Sequence, residues 1–332
     1  MPAEPTPAGA TASGAGQPRR LAQAALRDIP WEIGVAKPDP AVVVDGITRT
    51  FGGLTAVAVD HLEIQRGGIT GLIGPNGAGK TTLFNLLTGF DQPNTGTWTF
   101  DGRDMGHTAP HQVARLGVVR TFQLTKALSR LTVLQNMLLG AQGQRGESFL
   151  RALIPGTWRA QEKANTEKAM DLLQRFKLDA KKDDFAGTLS GGQRKLLEMA
   201  RALMSDPQVV MLDEPMAGVN PALTQSLLGH VKDLREQGMT VIFVEHDMDV
   251  VRDISHWVVV MAAGHVIAEG PPESISQNQA VVDAYLGAHH DAPLTVEEED
   301  RVLAEAEQAI AREEQVDGDV LTTDRPAERD DR

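Results

Sequence analysis

From position 74 onward the sequence reads Gly74-Pro75-Asn76-Gly77-Ala78-Gly79-Lys80-Thr81. Its spacing, glycine, four residues, glycine, lysine and a hydroxyl residue, is that of a phosphate-binding loop. The apolar run Ile69 to Ile73 before it predicts a strand, and Thr81 to Leu87 after it predicts a helix, as the motif requires. A merely structural glycine-rich turn would leave the lysine, the threonine and these flanking elements unexplained.

Each part of this loop has a predicted task. The three glycines can adopt backbone angles closed to other residues, so that consecutive N–H groups surround anionic oxygens at a helix start. Lys80 is predicted to meet the terminal phosphates of a nucleotide. The hydroxyl of Thr81, which is followed by Thr82 at the same site, suits Mg²⁺, because this hard cation prefers oxygen ligands.

A second motif is the apolar run Val209 to Leu212, which ends in two acids, Asp213 and Glu214. The pattern predicts a buried parallel strand that delivers carboxylates to a site at its end. We expect Asp213 to hold the magnesium ion through water and Glu214 to orient and polarise an attacking water. Solvated acids at a strand end are the alternative, but they do not explain the accompanying phosphate loop.

A third motif, Leu189-Ser190-Gly191-Gly192-Gln193, precedes a predicted helix from Arg194 to Met204. Ser190 and the two glycine amides are expected at the helix start, facing outward, as a second anion site. One nucleotide needs only one phosphate cradle. The economical arrangement is a head-to-tail dimer in which each subunit offers this turn to the nucleotide held by the other.

In this combination the chain resembles the ATP-binding cassette (ABC) ATPases, whose signature sequence is the third motif. The resemblance implies that Gln123 reaches the magnesium and senses a transmembrane partner. It also implies that His246 contacts the terminal phosphate and, together with Glu214, holds the hydrolytic geometry. It also implies that Phe51 stacks on adenine, for which simple packing of an aromatic after a strand is the alternative. Asn220 stands where many members carry aspartate and is predicted to lie at the dimer interface.

Further stretches resemble one branch of that family, the ATPases of branched-chain amino-acid importers. They are Phe51 to Val57, Val118 to Gln123, Ala217 to Pro221, Glu245 to Met248 and Ala284 to Gly287. The resemblance implies ATP and Mg²⁺, permease subunits, a second identical or paralogous ATPase subunit, indirect contact with an extracytoplasmic solute-binding protein, and a place on the cytoplasmic face of the membrane. Related ATPases serve urea and amide uptake or lipopolysaccharide export, so substrate and direction stay open.

The predicted fold class is α/β, the P-loop ABC ATPase fold, with a mainly parallel core sheet, an antiparallel β subdomain and an inserted helical subdomain at about residues 124–190. Short β-branched runs alternating with helical stretches favour the parallel sheet, and Thr157 to Leu178 predicts one long helix in the insertion. The ATPase domain is assigned to residues 41–287. Residues 1–40, half of them Ala, Pro or Gly, are predicted to be disordered.

Charge and composition limit the alternatives. The chain carries a net charge of −13, and Leu294 to Arg332 alone carries 14 acids and 5 bases, so residues 288–332 are assigned as an acidic, partly helical tail. The nearly neutral remainder speaks against a nucleic-acid surface and so against the main rival, a soluble non-transport ABC protein of ribosomes or DNA. The chain has no cysteine and no apolar run of the about 20 residues that a membrane helix needs, and no secretory signal is expected because the N-terminal residues lack an apolar segment behind a basic start.

Overall fold

The computed structural model describes residues 24–121, 129–142 and 159–290, with side chains as far as Tyr285. Gln123, residues 143–158 and the acidic tail from residue 291 lie outside the described residues. The chain divides into two units, Met1–Tyr285 and Leu286–Arg332. All side-chain geometry below belongs to the first unit; of the second, only the backbone of the last helical turns is described.

The described chain alternates strands and helices. The strands are β1 Pro40–Phe51, β2 Leu54–Gln65, β3 Ile69–Ile73, β4 Thr95–Phe100, β5 Arg103–Asp104, β6 Val118–Arg120, β7 Val209–Asp213, β8 Thr240–Val244, β9 Trp257–Ala262 and β10 His265–Gly270. The α-helices are α1 Lys80–Leu87, α2 Pro110–Arg115, α3 Val133–Leu138, α4 Arg159–Arg175, α5 Gly191–Leu203, α6 Pro221–Glu236, α7 Met248–Ile254, α8 Pro272–Ile275 and α9 Gln279–His290.

The central sheet has six strands in the order β10-β9-β3-β8-β7-β6. Its neighbouring strands are parallel except for β10, which pairs antiparallel with β9 at one edge. Strands β3 and β8 are buried along their whole length, as expected of β-branched runs covered on both faces. The mainly parallel sheet predicted from the sequence is therefore present, and it brings the carboxyl ends of β3, β7 and β8 to one edge.

A second, antiparallel sheet has the order β2-β1-β4-β5. Along β2, Val57 and Val59 are buried whereas Asp60 is exposed, which is the alternation of a sheet with one covered face. Strand β1 is 12 residues long and pairs antiparallel with β2 and with β4. The predicted antiparallel subdomain is thus present: β1 and β2 precede β3 and the phosphate loop, and β4 and β5 follow α1.

Helices α3, α4 and α5 pack together through apolar side chains. Met137, Leu173 and Leu203 are buried in the same core cluster. Helix α4 lies within the single long helix predicted for this region, and its first predicted residues lie outside the described part of the chain. Of the helices that the structure describes, none combines the length and apolar character required to cross a bilayer.

Part of the segment before β1, residues 24–39, is described by the structure. Between residues 24 and 39 the structure buries Leu26 and Lys37. Glu269 on β10 accepts hydrogen bonds from the backbone N–H of Val35 at 3.1 Å and from Lys37 Nζ at 3.0 Å. A composition count misses this, because the partner that orders the segment lies more than 200 residues away in sequence.

Candidate functional site

The loop between β3 and α1 needs its glycines. Gly74, Gly77 and Gly79 have φ values of 146°, 78° and 100°, in the region that side chains disfavour. A Cβ on Gly74 would lie 2.1 Å from the carbonyl oxygen of Met261, and one on Gly79 would lie 2.4 Å from that of Ala56. Gly77 has open space above it, so the loop is packed from below and open toward the side where an anion would approach.

Lys80 is buried at this loop, with 6% of its surface exposed. Its Nζ donates to the carbonyl oxygens of Gly74 at 2.6 Å and Pro75 at 2.9 Å. Burial lowers the pKa of Lys80, and the carboxylates of Glu214 and Asp213 oppose that shift. The two carbonyl partners carry no net charge and do not neutralise the ammonium, so an incoming polyanion can do so. The residues present therefore fit a polyphosphate.

The phosphate loop lines one cleft together with Glu214 and His246, two of the site residues predicted from the sequence. This brings the residues predicted to bind phosphates and those predicted to activate water into one cleft. The lining residues are Leu54, Thr55, Ala56, Asn76, Gly77, Ala78, Gly79, Lys80, Thr81, Thr82, Glu214, His246 and Ala263.

Glu214 and His246 meet although 32 residues separate them: His246 Nε2 lies 2.8 Å from Glu214 Oε1. The register of the sheet explains the contact, because β7 and β8 are parallel neighbours and Asp213 lies opposite Val244. The residues just beyond these strand ends therefore leave the sheet at the same point. Glu214 has φ of 45°, a left-handed conformation that is uncommon for a residue with a side chain.

Asp213 forms an ion pair with Arg120, whose other guanidinium nitrogen donates to Asn85 Oδ1 at 2.6 Å. The sequence reasoning did not identify Arg120 as a site residue. The only signal for it was its position at the end of β6, next to β7 in the sheet. Asp213 and the exposed hydroxyl of Thr81 supply hard oxygen donors of the kind that Mg²⁺ prefers. The predicted third magnesium contact, Gln123, lies outside the described residues.

The signature turn forms the start of α5. Ser190 is the N-cap: its Oγ accepts from the N–H of Gln193 at 3.2 Å, and Gln193 Oε1 accepts from the N–H of Ser190 at 3.0 Å. The helix thus begins at Gly191, earlier than the predicted Arg194. Gly191 is exposed as expected, but Gly192 is buried, and a Cβ there would overlap the side chain of Leu223. Helix α6 therefore packs against Gly192, and the prediction that the two glycine amides face outward stays a prediction.

Phe51 and Asn220 lie at the surface. The Phe51 side chain is 46% exposed, does not line the phosphate cleft, and has the Arg49 guanidinium 4.6 Å from its ring centre. Arg49 is itself paired with Asp91 at 2.7 Å. Asn220 is the N-cap of α6, and its Oδ1 accepts from the N–H of Leu223 at 2.9 Å. Asparagine in place of the commoner aspartate thus keeps the capping bond without the charge.

Comparison with known families agrees with this geometry. Residues 58–217 match the family described as "ABC transporter", and residues 265–291 match the one described as "Branched-chain amino acid ATP-binding cassette transporter". The second match contains β10 and all of α9, outside the nucleotide motifs. It therefore adds an independent indication of the branch suggested by the sequence.

Individual relatives cover most of the chain. The probable branched-chain amino acid transport ATP-binding protein LivG of Archaeoglobus fulgidus is 43% identical over 242 residues, which are 73% of this chain and 93% of that protein. The high-affinity branched-chain amino acid transport ATP-binding protein BraF of Pseudomonas aeruginosa is 41% identical over 250 residues, 75% of this chain and 98% of that protein.

Among solved structures, an ATP-binding cassette of an ABC transporter in its ADP conformation superposes with a TM-score of 0.66 at 37% identity. The superposition covers 75% of this chain and 99% of that one. A nucleotide-free cassette gives the same TM-score at 36% identity, with 74% and 98% of the two chains covered. The α/β cassette fold predicted from the motifs is confirmed.

Proposed function

The chain belongs to the ABC transporter ATP-binding family, whose members are ATPases coupled to transport, and we propose that it energises uptake of branched-chain amino acids or a related small polar solute such as urea or an amide. The observation that carries the hydrolytic part is the convergence of Lys80, Glu214 and His246 in one cleft. The solute class rests on the relatives' printed functions and on the match at residues 265–291.

In this proposal the loop from Gly74 to Thr82 binds the phosphates of ATP through its amides, and Lys80 turns from the loop carbonyls to the terminal phosphates. Thr81, Asp213 and Gln123 would hold Mg²⁺, which when bound offsets the negative charge of the phosphates. Arg120 must then share Asp213 or release it, since both cations attract the same carboxylate. Phe51 offers an exposed ring to adenine.

Glu214 orients and polarises the attacking water, and His246 keeps its carboxylate in place. The 2.8 Å contact between them supports this division of roles, because His246 occupies Oε1 and so fixes the direction in which Oε2 meets the attacking water. Phosphoryl transfer depends on positioning and charge stabilisation more than on covalent chemistry.

Two chains, or this chain and a paralogue, would close over two nucleotides, each signature turn facing the other subunit's phosphate loop. Ser190, Gly191 and Gln193 form that turn, with Gly192 as its packing contact to α6. Asn220 would lie near the same interface, where its exposure leaves it accessible. The chain would attach to permease subunits on the cytoplasmic face of the membrane and respond indirectly to an extracytoplasmic solute-binding protein.

Purification of the tagged full-length chain from detergent-solubilised membranes of its host tests the assignment. We expect permease subunits to co-purify, and ATP hydrolysis by the reconstituted assembly to rise with leucine, isoleucine or valine when a solute-binding protein is present. Stimulation by urea or an amide alone would move the substrate within the proposal. A lipid-stimulated exporter assembly, or ribosomal or DNA partners without permeases, would contradict it.

The same assembly tests the role of Glu214. We expect Glu214→Gln to retain nucleotide binding and to lower kcat by the about 10²–10⁴-fold typical of a lost general base. His246→Ala should also lower kcat. Normal turnover by Glu214→Gln would remove Glu214 from this role.

A further inference from the structure

The turn that carries Glu214 is held from two sides by charged side chains outside the motifs. From α5, Lys195 Nζ donates to the carbonyl oxygen of Glu214 at 2.9 Å and to that of Pro215 at 3.1 Å. From the end of β8, Glu245 Oε1 accepts from the N–H of Met216 at 2.8 Å. Three consecutive residues of the turn are therefore each bonded to one of two ionisable groups.

Of the two holding groups, Glu245 is buried and Lys195 is half-buried. Glu245 is 5% exposed, and burial raises its pKa while the backbone N–H groups of Met216 and His246 oppose that shift. Burial lowers the pKa of Lys195, and Glu245 is the first of the carboxylates that oppose it. Charged groups are costly to desolvate unless they are hydrogen-bonded, so these two side chains are committed to the turn.

The turn needs such support. Glu214 has φ of 45°, and a non-glycine residue in this region costs on the order of 1–3 kcal/mol unless its surroundings impose it. Its own N–H donates to the carbonyl oxygen of Val244 at 3.1 Å, and its carboxylate meets His246. Lys195 holds the carbonyl of the same peptide segment, which sets the direction in which the Glu214 side chain leaves the backbone.

We propose that Lys195 is a positioning residue for ATP hydrolysis, holding the strained backbone of Glu214 so that its carboxylate meets His246 and the attacking water. Lys195 lies in the helix that Ser190 caps, so the placement of Glu214 depends on the position of the signature helix in the same subunit. A signature helix that is displaced would release the turn, and one that is seated would restrain it. The inference rests on the proposed role of Glu214.

The first test compares Lys195→Met and Lys195→Arg with wild type in the purified assembly. We expect Lys195→Met to lower kcat by about tenfold to a hundredfold, the effect of a misplaced catalytic group, with KM for ATP nearly unchanged. Lys195→Arg, which can still donate to two carbonyls, should recover most of kcat. A matched control is Lys168→Met. Lys168 lies in α4, and its Nζ donates at 2.8 Å to the carbonyl of Met204, at the end of α5 away from Ser190.

The second test asks whether Lys195 acts through Glu214. Adding Lys195→Met to Glu214→Gln should cause little further loss of kcat, since a residue that only positions a group has no effect once that group's chemistry is gone. Equal losses in both backgrounds, a loss matched by Lys168→Met, or a parallel loss of nucleotide affinity would each overturn the inference.

The measurements distinguish a failure of the proposed function from a failure of the role of Lys195. If the wild-type assembly does not hydrolyse ATP, the proposed function fails. If it does and Lys195→Met turns over at the wild-type rate, only the role of Lys195 fails. Should Lys195→Met not fold, Lys195→Gln, which keeps one amide donor, is measured in both backgrounds with the same expectations.

Discussion

Replacing Lys37 by methionine should lower the free energy of unfolding, although Lys37 does not line the nucleotide cleft. The Lys37 and Glu269 side chains are 1% and 0% exposed and pair at 3.0 Å, and the ammonium lies 4.4 Å from the Trp257 ring centre. Glu269 also accepts from the backbone N–H of Gly34 and Val35 and from Trp257 Nε1. Removing one partner of a buried pair costs about 3–5 kcal/mol. We expect about 3 kcal/mol, because Glu269 keeps these other donors.

For a domain of this size that loss corresponds to a fall in Tm of roughly 6–12 °C. Urea unfolding followed by tryptophan fluorescence, with a parallel thermal scan, gives the measurement. Lys163→Met is the control, since Lys163 and Glu167 pair at 3.7 Å with 79% and 65% of their side chains exposed, and such pairs contribute about 0–1 kcal/mol.

A double-mutant cycle separates the ion pair from side-chain packing. Lys37→Met combined with Glu269→Gln removes both charges of this pair. The double variant should therefore lose less free energy of unfolding than the sum of the losses in the two single variants. A Lys37→Met variant as stable as Lys163→Met, or strictly additive losses in the cycle, would refute the reasoning that this pair fastens the segment before β1 to β10.

Two further predictions concern the cleft and pH. Gly79→Ala should weaken ATP binding by about tenfold or more in a fluorescent-nucleotide titration, because its Cβ would lie 2.4 Å from the Ala56 carbonyl oxygen at φ 100°; Gly229→Ala, with open space and an ordinary φ, should bind normally. Burial, and then the charge of Arg235, lower the pKa of His256 to about 4 from 6.5. Between these two pH values the unfolded state binds more protons than the folded state, so the stability contributed by neutral His256 is full above about pH 6.5 and is lost as pH falls toward 4. The free energy of unfolding from urea titrations should therefore fall by about 2 kcal/mol from this group between about pH 7 and pH 5. His256→Asn, which keeps an acceptor for the adjacent backbone N–H, should lack that part of the pH dependence, and an unchanged profile would contradict the prediction.

The local chemistry of the cleft was readable from the chain alone. Glycine, lysine and threonine at fixed spacing after an apolar strand specify a phosphate loop, because backbone freedom and donor type are properties of the residues themselves. The acid pair after Val209 to Leu212 and the capped turn at Ser190 are equally local. The sheet class followed from the same pattern of β-branched runs and helices.

Contacts between distant segments were not readable in this way. The sequence reasoning did not identify Arg120 against Asp213, Lys195 against the Glu214 carbonyl or Glu245 against Met216 as contacts, although each is made within or beside the cleft. Nothing in the spacing of these residues distinguishes them from solvated surface charges. Their partners depend on the order and register of the parallel strands and on how α5 packs across their ends.

Two further contacts have the same cause. Gly192 is covered because α6 lies over it, and residues 34–37 are held against β10 because Glu269 offers them a buried carboxylate. Composition and motif report what each residue can do. Which group it meets is set by chain packing, since the free energy of burying or pairing a charge depends on partners that only the folded chain brings within a few ångströms.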